Sequence, residues 1–472
     1  MEYALSATVF VPLLGALVLL PAGMLSTRLR NALALVFCAA PFALCCFLLP
    51  SIFSGHAVTV SRQIIPGFSF AFTADGLAVF MAMASSLISA IIVLYSFGYI
   101  SHYKHQGEYY FMVVLFLGAM MGLVFAANLI LLYLFWEITA ITSWRLIGFF
   151  REKQYLLKAD KAFMVTVFGA LVMLIGFIAI YQQTGTFDMV PGHISNLVVG
   201  LVLVGILSKS ATLPFHTWLP DAGVAPSPVT ALLHAAILVK IGLYVYARLF
   251  LATYSIDHVW TVAVPVIAAV SSLVSAGAAL VETDLKRIIA YSTVSQIGFI
   301  FFGLSVGSEL SATAGLLYIL THGLAKAGLF LCAGIVEQNT KVRDITKMGG
   351  LMKTMPVTAM AFLLCAFSVM GIPPFGGFFA KYLVFSGAVQ AGQLAIAGVF
   401  LVGAFLTIAY LLRVFNLVFV GPQAFHPKRE GEPVMVFSVA ALGALSLASG
   451  ICIWYLYTFA QTAARHMAAV IK

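Results

Sequence analysis

Long apolar runs, separated by short polar stretches, recur from one end of the chain to the other. A helix needs about 20 mainly apolar residues to cross a bilayer. Fourteen runs meet that length, at roughly 3–24, 31–53, 76–98, 109–126, 128–149, 160–181, 194–213, 227–250, 259–280, 285–306, 311–335, 357–381, 393–420 and 434–459. The longest gap between runs is 54–75. The expected fold class is all-α and integral to the membrane, with about 14 transmembrane helices. Two runs look broken. The seventh leads from Lys209 into Pro214, Pro220, Pro226 and Pro228, and a regular helix cannot continue through them. The twelfth contains Gly371-Ile372-Pro373-Pro374-Phe375-Gly376-Gly377, then Lys381. Each break sits beside a lysine. Irregular backbone at membrane depth is tolerated only where it is buried or lines a cavity.

Composition removes the competing classes. Apolar residues make up 62% of the chain and charged residues 9%, against about 25% charged in soluble domains. A soluble surface cannot be built from so few charges. The formal charge of +9 fits cytoplasmic loops rich in Lys and Arg and not a nucleic-acid partner. None of the six cysteines forms a CxxC pair, so no cluster or zinc site is expected. Met1-Glu2-Tyr3 lacks the basic start of a cleaved signal peptide, so the first run is expected to be retained as a span.

The cations set an orientation. Loops after odd-numbered runs carry Arg28, Arg30, Lys104, Arg151, Lys153, Lys158, Lys161, Lys286, Arg287, Lys341, Arg343, Lys347, Lys353, Lys428 and Arg429. The opposite side carries Arg62, Arg248, Arg465 and Lys472. The positive-inside rule then places the protein in the cell (inner) membrane with both termini outside the cytoplasm.

Six cations remain within the runs: Arg145, Lys209, Lys240, Lys326, Lys381 and Arg413. Glu137 is the one acid deep in a run; His234 and His322 also lie within runs, and His216 at the edge of one. A charge at the bilayer centre costs ~2.5–3.5 kcal/mol on insertion scales, so such groups face a bundle interior or a wet path. Burial favours the neutral amine and a nearby carboxylate favours the charged one. A lysine whose carboxylate partner comes and goes can therefore load and unload a proton. Arg145 and Arg413 lie near helix ends, where long side chains reach the interface.

Loop charge also suggests an inverted duplication. If residues 109–251 (runs four to eight) and 259–420 (runs nine to thirteen) are repeats of five spans, the second must cross the membrane upside down. Equivalent loops should then differ in charge. The loop after run five has four Lys/Arg and its equivalent after run ten has none; the loop after run six has none and its equivalent after run eleven has four. Residues 1–108 would hold the first three spans, and 421–472 the fourteenth span with a short tail.

Five segments resemble a known family. They are FWEITAITSWRLIGFF around Glu137, KSATLPFHTWLPDAGVAPSPVTALLHAAILVKIG from Lys209, ETDLKRIIAYSTVSQIG from Glu282, THGLAKAGLFLCAG from Thr321 and MGIPPFGGFFAK from Met370. They are similar to the antiporter-like, proton-translocating membrane subunits of respiratory complex I, of Mrp-type Na⁺/H⁺ antiporters and of energy-converting hydrogenases, formate hydrogenlyase-type complexes included. The resemblance implies 14 core helices with two inverted five-helix units. It gives Glu137 the role of the fifth-span glutamate and Lys209 that of its partner lysine. It makes His234, Lys240, His322 and Lys326 the connecting groups, and Lys381 the lysine near the outlet. Arg145 departs from the family pattern, either adding a cation near Glu137 or reaching the interface. The sequence has no counterpart of the long lateral helix of the distal complex I subunit, which favours a shorter relative.

These readings together imply a proton-translocating subunit of a redox-driven complex, complex I-like or hydrogenase-like. A Glu137–Lys209 ion pair would be its gate. No cofactor is expected in the chain, so any redox chemistry falls to a peripheral module, with other membrane subunits as further partners. The alternative is a subunit of an Mrp-type exchanger without redox chemistry. The transported ion, H⁺ or Na⁺, stays open, as does whether the chain counts as part of an oxidoreductase.

Overall fold

Apolar runs become helices because a helix satisfies its own backbone, which hydrocarbon cannot do. In the computed structural model, which describes residues 1–65, 68–427 and 429–471, nearly every run is one. Lys428 and Lys472, counted above among the loop charges, lie outside the described residues. The helices are α1 (Glu2–Leu25), α2 (Thr27–Phe53), α3 (Gly76–Tyr99), α4 (Gln106–Phe125), α5 (Leu129–Ile147), α6 (Lys153–Thr184) and α7 (Asn196–Lys209). They continue with α8 (Ser227–Leu251), α9 (Trp260–Val281), α10 (Leu285–Ser305), α11 (Glu309–Thr340) and α12 (Pro356–Met370). The last four are α13 (Gly376–Gln390), α14 (Leu394–Phe419), α15 (Pro433–Ile451) and α16 (Ile453–Ile471). Among the described residues, 12 helices are long and apolar enough to cross a membrane, and the chain is a multi-pass membrane protein. The shorter α7 and α12 each precede one of the expected breaks. The run 434–459 is not one helix: Cys452 separates α15 from α16.

The 54–75 gap is not plain loop. It holds an antiparallel hairpin of β1 (Val58–Ile65) and β2 (Phe68–Ala74), paired Val58↔Ala74 through Gln63↔Ser69. Its signal was the two-residue alternation of Val-Thr-Val-Ser and Phe-Ser-Phe-Ala-Phe, which a 20-residue window averages away. Phe70 and Phe72 pack on Phe10 of α1. Asn128 ties the hairpin to the bundle. Its side chain accepts from Leu131 N at 2.9 Å, capping α5, and donates to Ser69 O at 2.8 Å. Asn128→Ala removes both bonds and is expected to cost about 1–2 kcal/mol. Asn128→Asp keeps the cap and should recover part of that, as read from thermal unfolding of the purified protein.

The bundle is layered. α8, α10 and α11 are almost wholly buried, whereas α1, α2, α6 and α14 show apolar faces to the surroundings. The inner helices carry His234, Lys240, Gln296, His322 and Lys326, all buried. Three of the presumed loop cations, Arg30, Lys286 and Arg248, are also inside. Lys286, 2% exposed, pairs with Glu337 at 2.6 Å, and Glu337 also takes Arg343 at 2.6 Å. Glu337 lies within a helix and not in a loop, because α11 runs past the expected end at 335. Arg248 grips both oxygens of Asp75 at 2.5 and 2.8 Å. Asp75 in turn caps α3 through Ala78 N. Lys158 and Lys161 sit on the first turns of α6 and not in a loop.

Candidate ion-translocation site

α7 ends at Lys209, and the next residues, Ser210-Ala211-Thr212, leave the helix before Pro214. The carbonyl freed at Ser208 is taken up by Trp218 Nε1 at 2.9 Å, and Leu213 N finds Ser271 Oγ of α9 at 3.2 Å. The break is thus satisfied by protein groups, as a buried irregular backbone must be. The second break has the same logic. α12 ends in a left-handed cap at Gly371, and Lys381, on α13, donates its Nζ to Val369 O at 2.8 Å. Both amines sit at the C-terminal end of a half-helix, where the helix dipole favours positive charge.

α8 is irregular in its middle. Leu232–Ala236 form a π turn that holds His234, and Ile237 leaves helical geometry at φ −127°. Lys240 Nζ returns to the carbonyl of His234 at 3.1 Å and meets His322 Nδ1 at 2.8 Å. π turns of this kind recur at functional sites because they displace a carbonyl and re-aim side chains. On α11, Tyr318, His322 and Lys326 are spaced four apart and share one stripe. Lys326 donates to Ile289 O at 3.2 Å and to Ser292 Oγ of α10.

One arrangement is common to the four lysines. Lys209 donates to Trp136 O at 3.1 Å, Lys240 to His234 O, Lys326 to Ile289 O and Lys381 to Val369 O. None of the four makes an ion pair with a carboxylate among the described residues. A carboxylate partner would hold the ammonium form. A carbonyl accepts from an ammonium or a neutral amine alike, so the proton is not locked in place. Aromatic faces add support: Lys209 lies 5.0 Å from the Trp136 ring centre, and Lys381 lies 4.6 Å from Phe299 and 5.8 Å from Tyr318.

The ion pair expected between Glu137 and Lys209 is not made. Lys209 reaches past it to the Trp136 carbonyl, while Glu137 Oε1 is buried without a hydrogen-bond partner. The two are electrostatic neighbours but do not touch. Arg145 does not approach Glu137 as a partner either. It turns to Glu108, which it shares with Arg151, and so serves the helix end. Arg413 likewise reaches the end of α9, donating to Leu280 O and Glu282 O.

The structure joins Lys240 to His322 directly and places His234, Lys326 and Lys381 within electrostatic range of His322. Lys209 stands apart from Lys240, with no hydrogen bond between them. α7 nevertheless meets α8 tightly: a β-carbon at Gly242 would stand 2.0 Å from Ser210 Oγ and 2.6 Å from Ile206 O. His216, in the break, is half-buried and joins none of the other expected site residues in a hydrogen bond.

Sequence reasoning passed over the groups between His322 and Lys381. Tyr318 stacks edge-on with His322 at 5.8 Å, lies under Lys381, and donates its hydroxyl to Gln296 Oε1 at 2.5 Å. Gln296 continues to Thr407 Oγ1 at 3.1 Å. The available signal was the polar spacing Ser292, Ser295, Gln296 inside an apolar run and the four-residue step from Tyr318 to His322.

A membrane bundle with two interrupted helices and a line of buried amines and imidazoles between them is an antiporter-like membrane subunit. The comparisons then place it: a family model described as NADH:quinone oxidoreductase/Mrp antiporter, TM, matches residues 126–407, and the chain belongs to that family. A second, described as the N-terminus of complex I chain 5, matches residues 66–110. The Na⁺/H⁺ antiporter subunit A1 of Staphylococcus saprophyticus is 33% identical over 440 residues, covering 84% of this chain and 54% of that protein. The subunit A1 of Staphylococcus aureus is 34% identical over 445 residues, covering 86% and 55%. The chain spans about half the length of these curated relatives. In three dimensions it is similar to a chain of the Mrp complex from Dietzia, with a TM-score of 0.93, 25% identity and coverage of 100% and 99%. It shares its fold with a chain of the membrane-bound sulfane sulfur reductase, an archaeal respiratory membrane complex, at a TM-score of 0.91, 21% identity and coverage of 100% and 98%.

Proposed function

We propose that the chain is an ion-translocating subunit of a multisubunit membrane complex and that protons move along Glu137, Lys209, His234, Lys240, His322, Lys326 and Lys381. The observation that carries this reading is the bonding of the four lysines to carbonyls and not to acids. Each can take or give a proton without breaking an ion pair. Glu137, near Lys209 but not bound to it, acts as a gate by moving into contact and holding Lys209 charged. Protons reach the row from the face with the basic loops and leave outward past Lys381, with both termini outside. Residues 109–251 and 259–420 are the two inverted units, which places the breaks in equivalent positions.

Two settings suit such a subunit. In a redox-driven complex, a peripheral module would supply the energy. In an Mrp-type exchanger, sodium would be the counter-ion. The subunit A1 relatives are named Na⁺/H⁺ antiporter subunits, which favours the exchanger. The likeness to the sulfane sulfur reductase chain is one of fold, with which the redox setting is compatible. Isolating the complex with its native partners and identifying them tests the setting. Small exchanger subunits support the exchanger and a metal-cluster module the redox-driven complex. Reconstitution into liposomes, with internal pH followed as Na⁺ is added, tests the ion. A preparation that moves neither H⁺ nor Na⁺ across the bilayer contradicts the proposal.

A further inference from the structure

α3, α8 and α11 meet along a seam that runs from the face with the basic loops towards His234. At its mouth is a polar vestibule of about 660 Å³ lined by His102, Tyr103, Gln338, Lys341, Arg429 and Glu432, among others. From there Tyr103, Tyr99 and Tyr95 stack inward, with ring centres 5.8 and 5.7 Å apart. Tyr99 and Tyr95 are buried.

The Tyr99 hydroxyl lies beside Ser227, the first residue of α8, short of hydrogen-bond geometry. Ser227 Oγ is fully buried and has no protein partner. Ser227 and Tyr95 converge on one point of α11. A β-carbon added to Gly334 would stand 2.8 Å from Ser227 Oγ and 2.6 Å from the Tyr95 hydroxyl. Thr230 follows on the same side, donating to Ser227 O at 2.8 Å. His234 lies roughly 10 Å along α8 from Ser227. Neither of its ring nitrogens has a protein partner. Buried hydroxyls and imidazoles of this kind are normally matched by water, so the seam is suited to hydration from the vestibule inward. Beside it, the Glu337 carboxylate is held by Lys286 and Arg343 and faces Tyr99 and Tyr95.

We propose that this seam is the inlet through which protons pass from the vestibule to His234, with Tyr99 and Ser227 as the relay hydroxyls and Tyr95, whose hydroxyl donates to Leu331 O at 3.0 Å, packed beside them. The inference rests on the row described under the proposed function and adds its feed. A hydronium in the vestibule gives up its proton. Each hydroxyl takes a proton on its oxygen and releases the one it held. One His234 nitrogen ends protonated, and every hydroxyl is restored. Only O–H and N–H bonds form and break.

The test uses the whole complex in liposomes, with proton flux read from an internal pH dye. Gly334→Val fills the point where Ser227 and Tyr95 converge. The pair Tyr99→Phe with Ser227→Ala removes two hydroxyls while keeping the ring stack and the helix. Flux is expected to fall by about tenfold in each. The solvent isotope effect of the double variant is expected to rise, which a merely structural role would not produce. Lys381→Ala is the parallel variant for the row. If Lys381→Ala is inactive while Gly334→Val and the double variant match the wild type, the seam is not the inlet and the row stands. If Lys381→Ala keeps full flux, the row fails and takes the inlet with it. If Gly334→Val does not assemble, the double variant decides alone.

Discussion

Lys240→Ala, placed in the assembled complex, is expected to lower proton flux by about 10²-fold or more, the usual loss when a positioned proton-transfer group is removed. Lys240 makes the direct bond between α8 and α11 within the row, through His322 at 2.8 Å. Removing it takes away the hydrogen bond that joins α8 to His322. It also leaves the His234 carbonyl, freed by the π turn, without the donor it has now. Structural damage alone would lower flux too, so a second substitution separates the causes. Lys240→Arg keeps the positive charge and the donors, but a guanidinium does not give up its proton in proteins. A relay role predicts that Lys240→Arg is as inactive as Lys240→Ala. A purely structural role predicts that Lys240→Arg retains most of the flux. The measurement is internal pH in liposomes, with assembly checked by the yield of intact complex.

The second large effect concerns stability. Arg248→Met is expected to destabilise the protein by about 3 kcal/mol, because it strips a mostly buried carboxylate of its guanidinium. The pair ties the end of α8 to the start of α3, and Tyr244 extends it: Arg248 Nε donates to the Tyr244 hydroxyl at 2.9 Å, and that hydroxyl donates to Val124 O at 2.5 Å. Three helices and the hairpin end therefore share one lock. The double variant Asp75→Asn/Arg248→Met should recover part of the loss, since a neutral amide needs no cation. Thermal unfolding in detergent reads both. A single variant as stable as the wild type would show that the helices are held by apolar packing alone.

Much of the fold could be read from hydropathy, because a bilayer leaves few solutions: a run of about 20 apolar residues has to close its own hydrogen bonds. What hydropathy missed was short or polar. The β1–β2 hairpin has no long apolar window, and α6 and α11 extend into water as helix past the point where apolar character ends. The breaks after Lys209 and before Lys381 were legible from proline and glycine. The roles of neighbouring backbone groups were not. That Lys209 chooses the Trp136 carbonyl over Glu137 depends on where α5 and α7 cross, which no spacing within either helix encodes.

The same limit applies to the loop charges. Arg248 and Lys286 fall where the apolar runs end, so sequence reads them as surface cations. Tertiary packing brings Asp75 and Glu337 to them from 173 and 51 residues away in the chain, and they become interior ion pairs. Tyr318 and Gln296 were passed over for the opposite reason. Neither is charged, so a search for costly groups in hydrocarbon does not flag them, although they fill the space between His322 and Lys381.

Buried amines that rest on carbonyls and hand charge along the bundle are the core of this account. Proton flux through the reconstituted complex carrying Lys209→Ala or Lys381→Ala measures that most directly. Both variants are predicted to assemble and to fall to the leak of protein-free liposomes. Wild-type flux in both would contradict it.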